Sequence, residues 1–258
     1  MKSLSNKITD SRFKGLIARF LKGGILEHSG SINTIAVGTP QGGIMSPILA
    51  NIYLSEAIDE WFVETYASYS NVIVRYADDA IFLHRKKEQA VSFLTDLQKR
   101  VARFGLTLNM EKTQLVDFRR SENNDFSFLG FTFYWGEKKK FRSRPLKIKT
   151  ENKRLHKQMQ DFDKWVKENR SSAKTAELWK MVKAKLIGHY NYFGLWTNHQ
   201  KLLHFYTQTL RSLFKWLNRR SQKRSFSWET FMRKLKFNPL PTPPLTQQLT
   251  NFTRNIYA

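Results

Sequence analysis

Apolar positions recur at helical spacing from the start of the chain: Phe13, Leu16, Ile17, Phe20 and Leu21 follow Asp10, a residue suited to an N-cap, and Gly23-Gly24 stops the run. A short segment over 32–37 and a glycine-rich loop come next. Ser46-Pro47 then opens a second predicted helix carrying Leu54, Ile58, Trp61 and Phe62 on one side. Between Asn71 and His84 the pattern turns strand-like on both sides of Tyr76-Ala77-Asp78-Asp79, which predicts a β-hairpin with carboxylates at its tip. A third helix is marked by Ala90, Leu94, Leu97, Val101 and Phe104, with Gly105 just beyond. Strands are predicted over 114–118 and over 126–135, the second broken at Gly130. No regular strand-helix-strand crossover occurs, so the expected class is α+β with an antiparallel sheet.

From Glu151 the pattern becomes helical throughout. Leu155, Met159, Phe162 and Val166 mark one helix, Leu178, Val182 and Leu186 a second, and Leu203, Tyr206, Leu210, Leu213 and Leu217 a third. The segment from Pro239 to Pro244 ends regular structure, and the tail to Ala258 is expected to be loosely attached. The expected organisation is therefore a mixed domain over 1–148, a helical domain over 149–238 and a tail over 239–258.

Charge sharpens that division. Lysine and arginine number 44 against 21 acidic residues, a formal net charge of +23, which favours a polyanionic partner. Residues from Glu151 onward hold 21 basic and 6 acidic side chains, so the excess concentrates in the helical part. An anionic membrane surface would also suit this balance. However, no apolar run is long enough to span a bilayer, and the basic residues are not confined to one block. The absence of cysteine removes thiolate nucleophiles, disulfides and zinc ribbons, so any metal must be held by oxygen or imidazole. The N-terminus lacks the apolar segment of a secretory signal, and a cytoplasmic protein is expected.

Two stretches carry candidate chemistry. Adjacent carboxylates at a hairpin tip suit magnesium, whose shell is completed by water and phosphate; two such ions about 4 Å apart can activate a 3′-hydroxyl and stabilise a leaving pyrophosphate. Aspartates also favour turns for purely local reasons. In the loop Gly38-Thr39-Pro40-Gln41-Gly42-Gly43, glycines allow close approach of a nucleic-acid backbone and Gln41 offers an amide to a base or ribose. An ordinary turn before a proline-initiated helix reads the same way.

The run Gly-Thr-Pro-Gln-Gly-Gly-Ile-Met-Ser-Pro-Ile-Leu-Ala-Asn-Ile-Tyr-Leu over Gly38–Leu54, followed by Val74-Arg75-Tyr76-Ala77-Asp78-Asp79, resembles bacterial reverse transcriptases of the group II intron, or retron, type. The resemblance continues through Phe104-Gly105-Leu106-Thr107-Leu108-Asn109-Met110-Glu111-Lys112-Thr113 and Phe128-Leu129-Gly130-Phe131. It extends to Gly188-His189-Tyr190-Asn191-Tyr192-Phe193-Gly194 and to Trp216 through Ser225, which resemble the maturase-specific thumb of intron-encoded proteins.

The resemblance implies a partial polymerase palm with an antiparallel sheet, followed by an all-helical thumb that grips intron RNA and the template with its DNA primer. It implies Asp78 as a primary Mg2+ ligand with Asp79 beside it, Tyr76 near the primer terminus or incoming nucleotide, and Lys112 facing the triphosphate. Gln41, Gly42 and Gly43 would contact substrate, and Arg219, Arg220, Lys223 and Arg224 would contact RNA. A solvated surface lysine is the ordinary alternative for Lys112. Tyr190, Tyr192, Trp196 and Trp216 are available to stack on bases, although burial in the core competes for each.

The family's palm needs a further aspartate from an earlier strand. The acids preceding Asp78 are Asp10, Glu27, Glu56, Asp59, Glu60 and Glu64, each at a helix end or on a predicted helix. The fingers also have no counterpart. The chain therefore reads as N-terminally truncated and is expected to synthesise little DNA unaided, with a separate N-terminal palm and fingers chain as a possible partner. An RNA-binding splicing module without polymerase activity is the competing reading.

Overall fold

A computed structural model describes residues 2–5, 7–22, 25–26, 32–33, 44–67, 71–137, 144–171, 174–219 and 226–244. The chain forms two compact units, Met1–Asp117 and Phe118–Ala258. Small antiparallel sheets lie among helices in both, which is the expected α+β class.

The first unit begins with helices α1 (Lys2–Ser5) and α2 (Ser11–Lys22). Asp10 caps α2 through Oδ1, which accepts from the amides of Arg12 at 2.8 Å and Phe13 at 3.2 Å. Strands β1 (Ile25–Leu26) and β2 (Ile32–Asn33) pair antiparallel. Helix α3 (Ser46–Leu54), opened by Pro47, passes through a π-helical stretch (Ser55–Glu60) into α4 (Trp61–Tyr66). The widened turn releases carbonyls that an α-helix would pair internally. Arg100 supplies donors to them, from Nη2 to Glu56 O and from Nε to Ala57 O, both at 3.0 Å.

The hairpin follows as β3 (Val72–Tyr76) and β4 (Asp79–Leu83), with Tyr76 opposite Asp79 and Ile73 opposite Phe82. Its inner face packs on α4 and on α5 (Lys87–Arg103), where Phe62, Phe82 and Phe93 meet with ring centroids 4.6–5.6 Å apart. Helix α5 ends in a Schellman turn: Gly105 has φ +66°, its amide donates to Ala102 O, and Leu106 N donates to Val101 O. That turn returns Leu106 and Leu108 to the core of Ala57, Phe62, Phe93, Leu97 and Val101.

In the second unit, β5 (Asp125–Phe128), β6 (Phe131–Trp135) and β7 (Leu146–Thr150) form one antiparallel sheet in that order. Helices α6 (Asn152–Asn169), α7 (Thr175–Phe193), α8 (His199–Leu217) and α9 (Trp228–Phe237) make the body, with a 3-10 turn (Trp196–Asn198) before α8. Val166, Leu178, Val182, Leu186, Leu202 and Leu213 are fully buried there. Asn198 fixes the sheet to the helices: its amide group donates to Thr150 Oγ1 and Phe193 O and accepts from Thr150 N, at 2.7–2.9 Å.

Two local expectations are corrected, and one strand was not foreseen. Residues 114–118 form no strand; Phe118 instead packs on Phe126 and Trp135 and accepts a hydrogen bond from Trp135 Nε1. The strand Leu146–Thr150 was hidden by its alternate lysines, one of which, Lys149, lies 4.4 Å from the Tyr134 ring. The start of the tail is tightly held: Leu240 is buried, Trp179 Nε1 donates to Asn238 O and Tyr190 Oη to Pro241 O. Residues 245–258 lie outside the described ones.

Candidate functional site

The β3–β4 turn presents Tyr76, Asp78 and Asp79 as exposed side chains, with Tyr76 67% exposed. Ala77 adopts φ +53°, a left-handed conformation that hairpin turns usually assign to glycine or asparagine. Non-glycine residues held there cost about 1–3 kcal/mol and persist only where their surroundings impose them.

Arg75 imposes this one. Its Nη1 donates to Ala77 O at 2.8 Å and to Asn51 Oδ1 at 3.0 Å, while Nε and Nη2 reach the two oxygens of Asp59 at 2.7 and 2.5 Å. Hydrogen bonding to Asp59 holds Arg75 above the ordinary arginine value despite the opposing effect of burial. The tip is thus tied through one guanidinium to α3 and to the π-helical stretch.

That tie also uses up Asp59 as a candidate for the additional acid. Asp10 is engaged as a cap, and Glu60 pairs with Lys7. Among the described residues no group of three or more histidine, aspartate or glutamate side chains could hold a metal ion. Two exposed aspartates fit a magnesium ion shared with the phosphates of a nucleotide, since this ion is commonly held by one or two carboxylates plus substrate oxygens. They do not fit an ion enclosed by protein ligands alone.

Lys112 is exposed in a turn organised by Asn109, whose Oδ1 accepts from the amides of Glu111 at 3.1 Å and Lys112 at 3.3 Å. Gln41, Gly42 and Gly43 lie outside the described residues, as do Arg220, Lys223 and Arg224.

Arg219 belongs to a cluster that sequence reasoning only partly found. The guanidinium carbons of Arg170 and Arg219 lie 4.9 and 5.5 Å from the Trp216 ring centroid, and Nζ of Lys167 and Lys215 lie 5.6 and 4.5 Å from it. Trp216 is itself buried, its Nε1 donating to Asp163 Oδ1 at 3.0 Å. Burial alone would raise Asp163, but hydrogen bonds from Ser212, Trp216 and Lys215 outweigh it and lower its pKa. The ring therefore gathers cations from two helices and the residues just after them, and the Asp163 carboxylate at its edge takes up part of the charge. Of these cations only Arg219 was named from sequence; Lys215 adjoins Trp216 in the chain, and Lys167 and Arg170 reach the ring only through the packing of α6 on α8.

The four aromatics divide evenly. Tyr190 and Trp216 are core, whereas Tyr192 and Trp196 are 56% and 63% exposed. The Phe128–Phe131 motif forms a two-residue hairpin turn with positive φ at Leu129 and Gly130, as type I′ geometry requires. Tyr192 Oη donates to Leu129 O at 3.1 Å, so this turn is fastened to α7.

Residues 1–133 match the family described as reverse transcriptase (RNA-dependent DNA polymerase). The chain is 29% identical over 161 residues to Protein YkfC of Escherichia coli (strain K12), covering 50% of this chain and 41% of that protein. It is 56% identical over 50 residues to the Group II intron-encoded protein LtrA of Lactococcus lactis subsp. cremoris, covering 19% of this chain and 8% of that protein. The chain thus spans less than half the length of these relatives. Among solved structures, a telomerase from Candida albicans in complex with a TWJ fragment of telomeric RNA matches with a TM-score of 0.38 and 14% identity, over 83% of this chain and 33% of that one.

Proposed function

The chain belongs to the reverse transcriptase (RNA-dependent DNA polymerase) family, and from that premise we propose that it carries the metal-binding hairpin of an RNA-directed DNA polymerase of group II intron type, joined to a maturase-like helical thumb. The observation that carries this reading is the β3–β4 tip, where Asp78 and Asp79 stand exposed on a turn braced by Arg75. Asp78 is assigned as primary ligand and Asp79 as its neighbour in the same site. Tyr76, exposed beside them, packs against the primer terminus or incoming nucleotide. Magnesium, when bound, supplies activation of the primer 3′-hydroxyl and neutralisation of charge on the departing pyrophosphate. Lys112 balances triphosphate charge and can protonate the leaving group. Gln41, Gly42 and Gly43 are assigned to close contact with substrate.

Synthesis needs a third carboxylate at the tip. It comes from outside the described residues, and a separate chain with fingers and the first palm strand is one source. The cations around Trp216 are assigned to phosphates of bound RNA, and Arg220, Lys223 and Arg224 are assigned the same role.

Magnesium-dependent primer extension on an RNA template tests the reading, with the chain alone and with a separately expressed palm and fingers fragment. Extension abolished by Asp78→Ala supports the polymerase assignment, and dependence on the fragment identifies the source of the third carboxylate. A second reading, an RNA-binding splicing module without polymerase chemistry, is favoured by the gathering of Lys167, Arg170, Lys215 and Arg219 on one ring, remote in sequence from the aspartates. No extension under either condition, with salt-sensitive RNA binding intact, selects it.

A further inference from the structure

The polymerase reading makes no use of a cleft in the second unit, between α6, α7 and α8. Its volume is about 370 Å3, within the range of roughly 300–1,000 Å3 usual for small-molecule sites. Arg154 and Gln158 line it from α6, Lys185, Gly188, His189 and Tyr192 from α7, and Phe205 from α8.

Two atoms of its lining residues, Gln158 Oε1 and His189 Nε2, are closed off from water and have no hydrogen-bond partner among the described residues. Such groups are rare in folded proteins because each forfeits the hydrogen bond it had in water. His189 is 9% exposed and stacks on Phe205 with centroids 3.8 Å apart, and burial lowers its pKa to about 4. Its imidazole is therefore neutral near pH 7, with one ring nitrogen a donor and the other an acceptor.

Gly188 adds an independent sign. A glycine inside a helix weakens it and is usually excused by a close neighbour. Here a Cβ would meet nothing within 4 Å. No crowding at this position calls for glycine, and the space before it is the cleft.

The remaining walls supply a platform and charge. Tyr192 is more than half exposed, and its ring is fixed by stacking on Phe131 at 5.7 Å and by the hydroxyl bond to Leu129 O. Among the described residues Arg154 has no acidic partner within ion-pair distance, and Lys185 meets only the Trp165 ring, at 4.4 Å. Among the described residues Asp161 is the single carboxylate in the lining, which is therefore net positive.

We propose that this cleft takes one unstacked nucleotide, with its base on Tyr192 and its phosphate on Arg154 and Lys185, and that Gln158 and His189 turn from their closed positions to meet the polar edge of the base. The amide oxygen accepts from an exocyclic amine or ring N–H, and the cations suit a phosphate. The choice of a nucleotide over other flat anions rests on the polymerase reading. Its source is a single-stranded RNA or a free mononucleotide.

The test uses the full chain without metal and two fluorescent probes: 2-aminopurine riboside 5′-monophosphate, and a pentanucleotide RNA with 2-aminopurine between abasic residues. Stacking on Tyr192 quenches the probe. Quenching by the pentanucleotide alone assigns the site to a strand; quenching by the monophosphate as well assigns it to free nucleotide. Tyr192→Phe retains binding, whereas Tyr192→Ala, Arg154→Ala and the cleft-filling Gly188→Leu each weaken it about tenfold or more, with the helical circular dichroism of wild type. Absence of quenching with both probes overturns the proposal, as does equal quenching by wild type and a folded Gly188→Leu. Because no synthesis is read, failure here leaves the hairpin assignment standing, and failed primer extension leaves this one standing.

Discussion

Arg75 and Asp59 meet in a two-pronged contact, Nε to Oδ1 at 2.7 Å and Nη2 to Oδ2 at 2.5 Å, and the same guanidinium holds the carbonyl of Ala77 at 2.8 Å. The two side chains are 11% and 31% exposed, so water compensates poorly for a missing partner. Asp59→Asn should destabilise the first unit by about 1.5–3 kcal/mol, the range for hydrogen bonds to charged groups. It should also speed amide exchange across Val74–Ala80. Arg75→Lys, which keeps the charge and loses the fork, should behave similarly. Urea unfolding and hydrogen exchange read both, and unchanged exchange at the tip would show that Arg75 does not brace it.

Stability should fall on acidification because two histidines are held neutral by burial. His189 is pushed down to about 4, and His84 is lowered for the same reason. Unfolded histidine takes up its proton near pH 6.5, so between pH 6.5 and about 4 the unfolded chain binds more protons than the folded one. The His189 contribution is therefore complete above this window, falls as pH drops through it, and amounts to about 3 kcal/mol. Denaturant titrations at pH 7 and pH 4.5 measure it. His189→Gln should flatten the slope, and an unaltered slope would contradict the assignment.

Gly188→Ala should stabilise the second unit by about 0.5–1 kcal/mol, because alanine restores helix propensity and its Cβ finds no neighbour within 4 Å. A rise in thermal midpoint is expected. A fall would mean that the space before Gly188 is not open.

Removal of Lys167 or Arg170 should weaken RNA binding across sequences and lower the slope of log affinity against log salt by about 0.7–0.9 for each phosphate left without its cation. Affinity measured from 50 to 300 mM salt, concentrations chosen to span roughly the screening range, reads both effects. Asp78→Ala should leave the slope unchanged.

Much of the fold was legible where local signals agree. Asp10, Pro47 and Gly105 punctuate helices in the positions their chemistry dictates, and the strand-like apolar runs on both sides of Asp78-Asp79 marked the hairpin. What escaped depended on distant partners. The π-helical stretch is sustained by Arg100, more than forty residues away, and no periodicity announces it. Leu146–Thr150 is a strand because β6 and Asn198 receive it, although its lysines read as solvated. At the candidate site the carboxylates were named from sequence, whereas the Arg75 brace and the α6 half of the Trp216 cluster appear only once the chain is folded.

Asp78 is assigned to nucleotide addition and not to RNA binding. The direct measurement is to assay Asp78→Ala and wild type side by side for magnesium-dependent extension of a DNA primer on RNA, with the palm and fingers fragment supplied, and for affinity to the same template-primer. Extension should be abolished while affinity stays within about twofold, since a carboxylate neutralises no phosphate. Extension that survives Asp78→Ala, or that disappears together with affinity, would contradict the assignment.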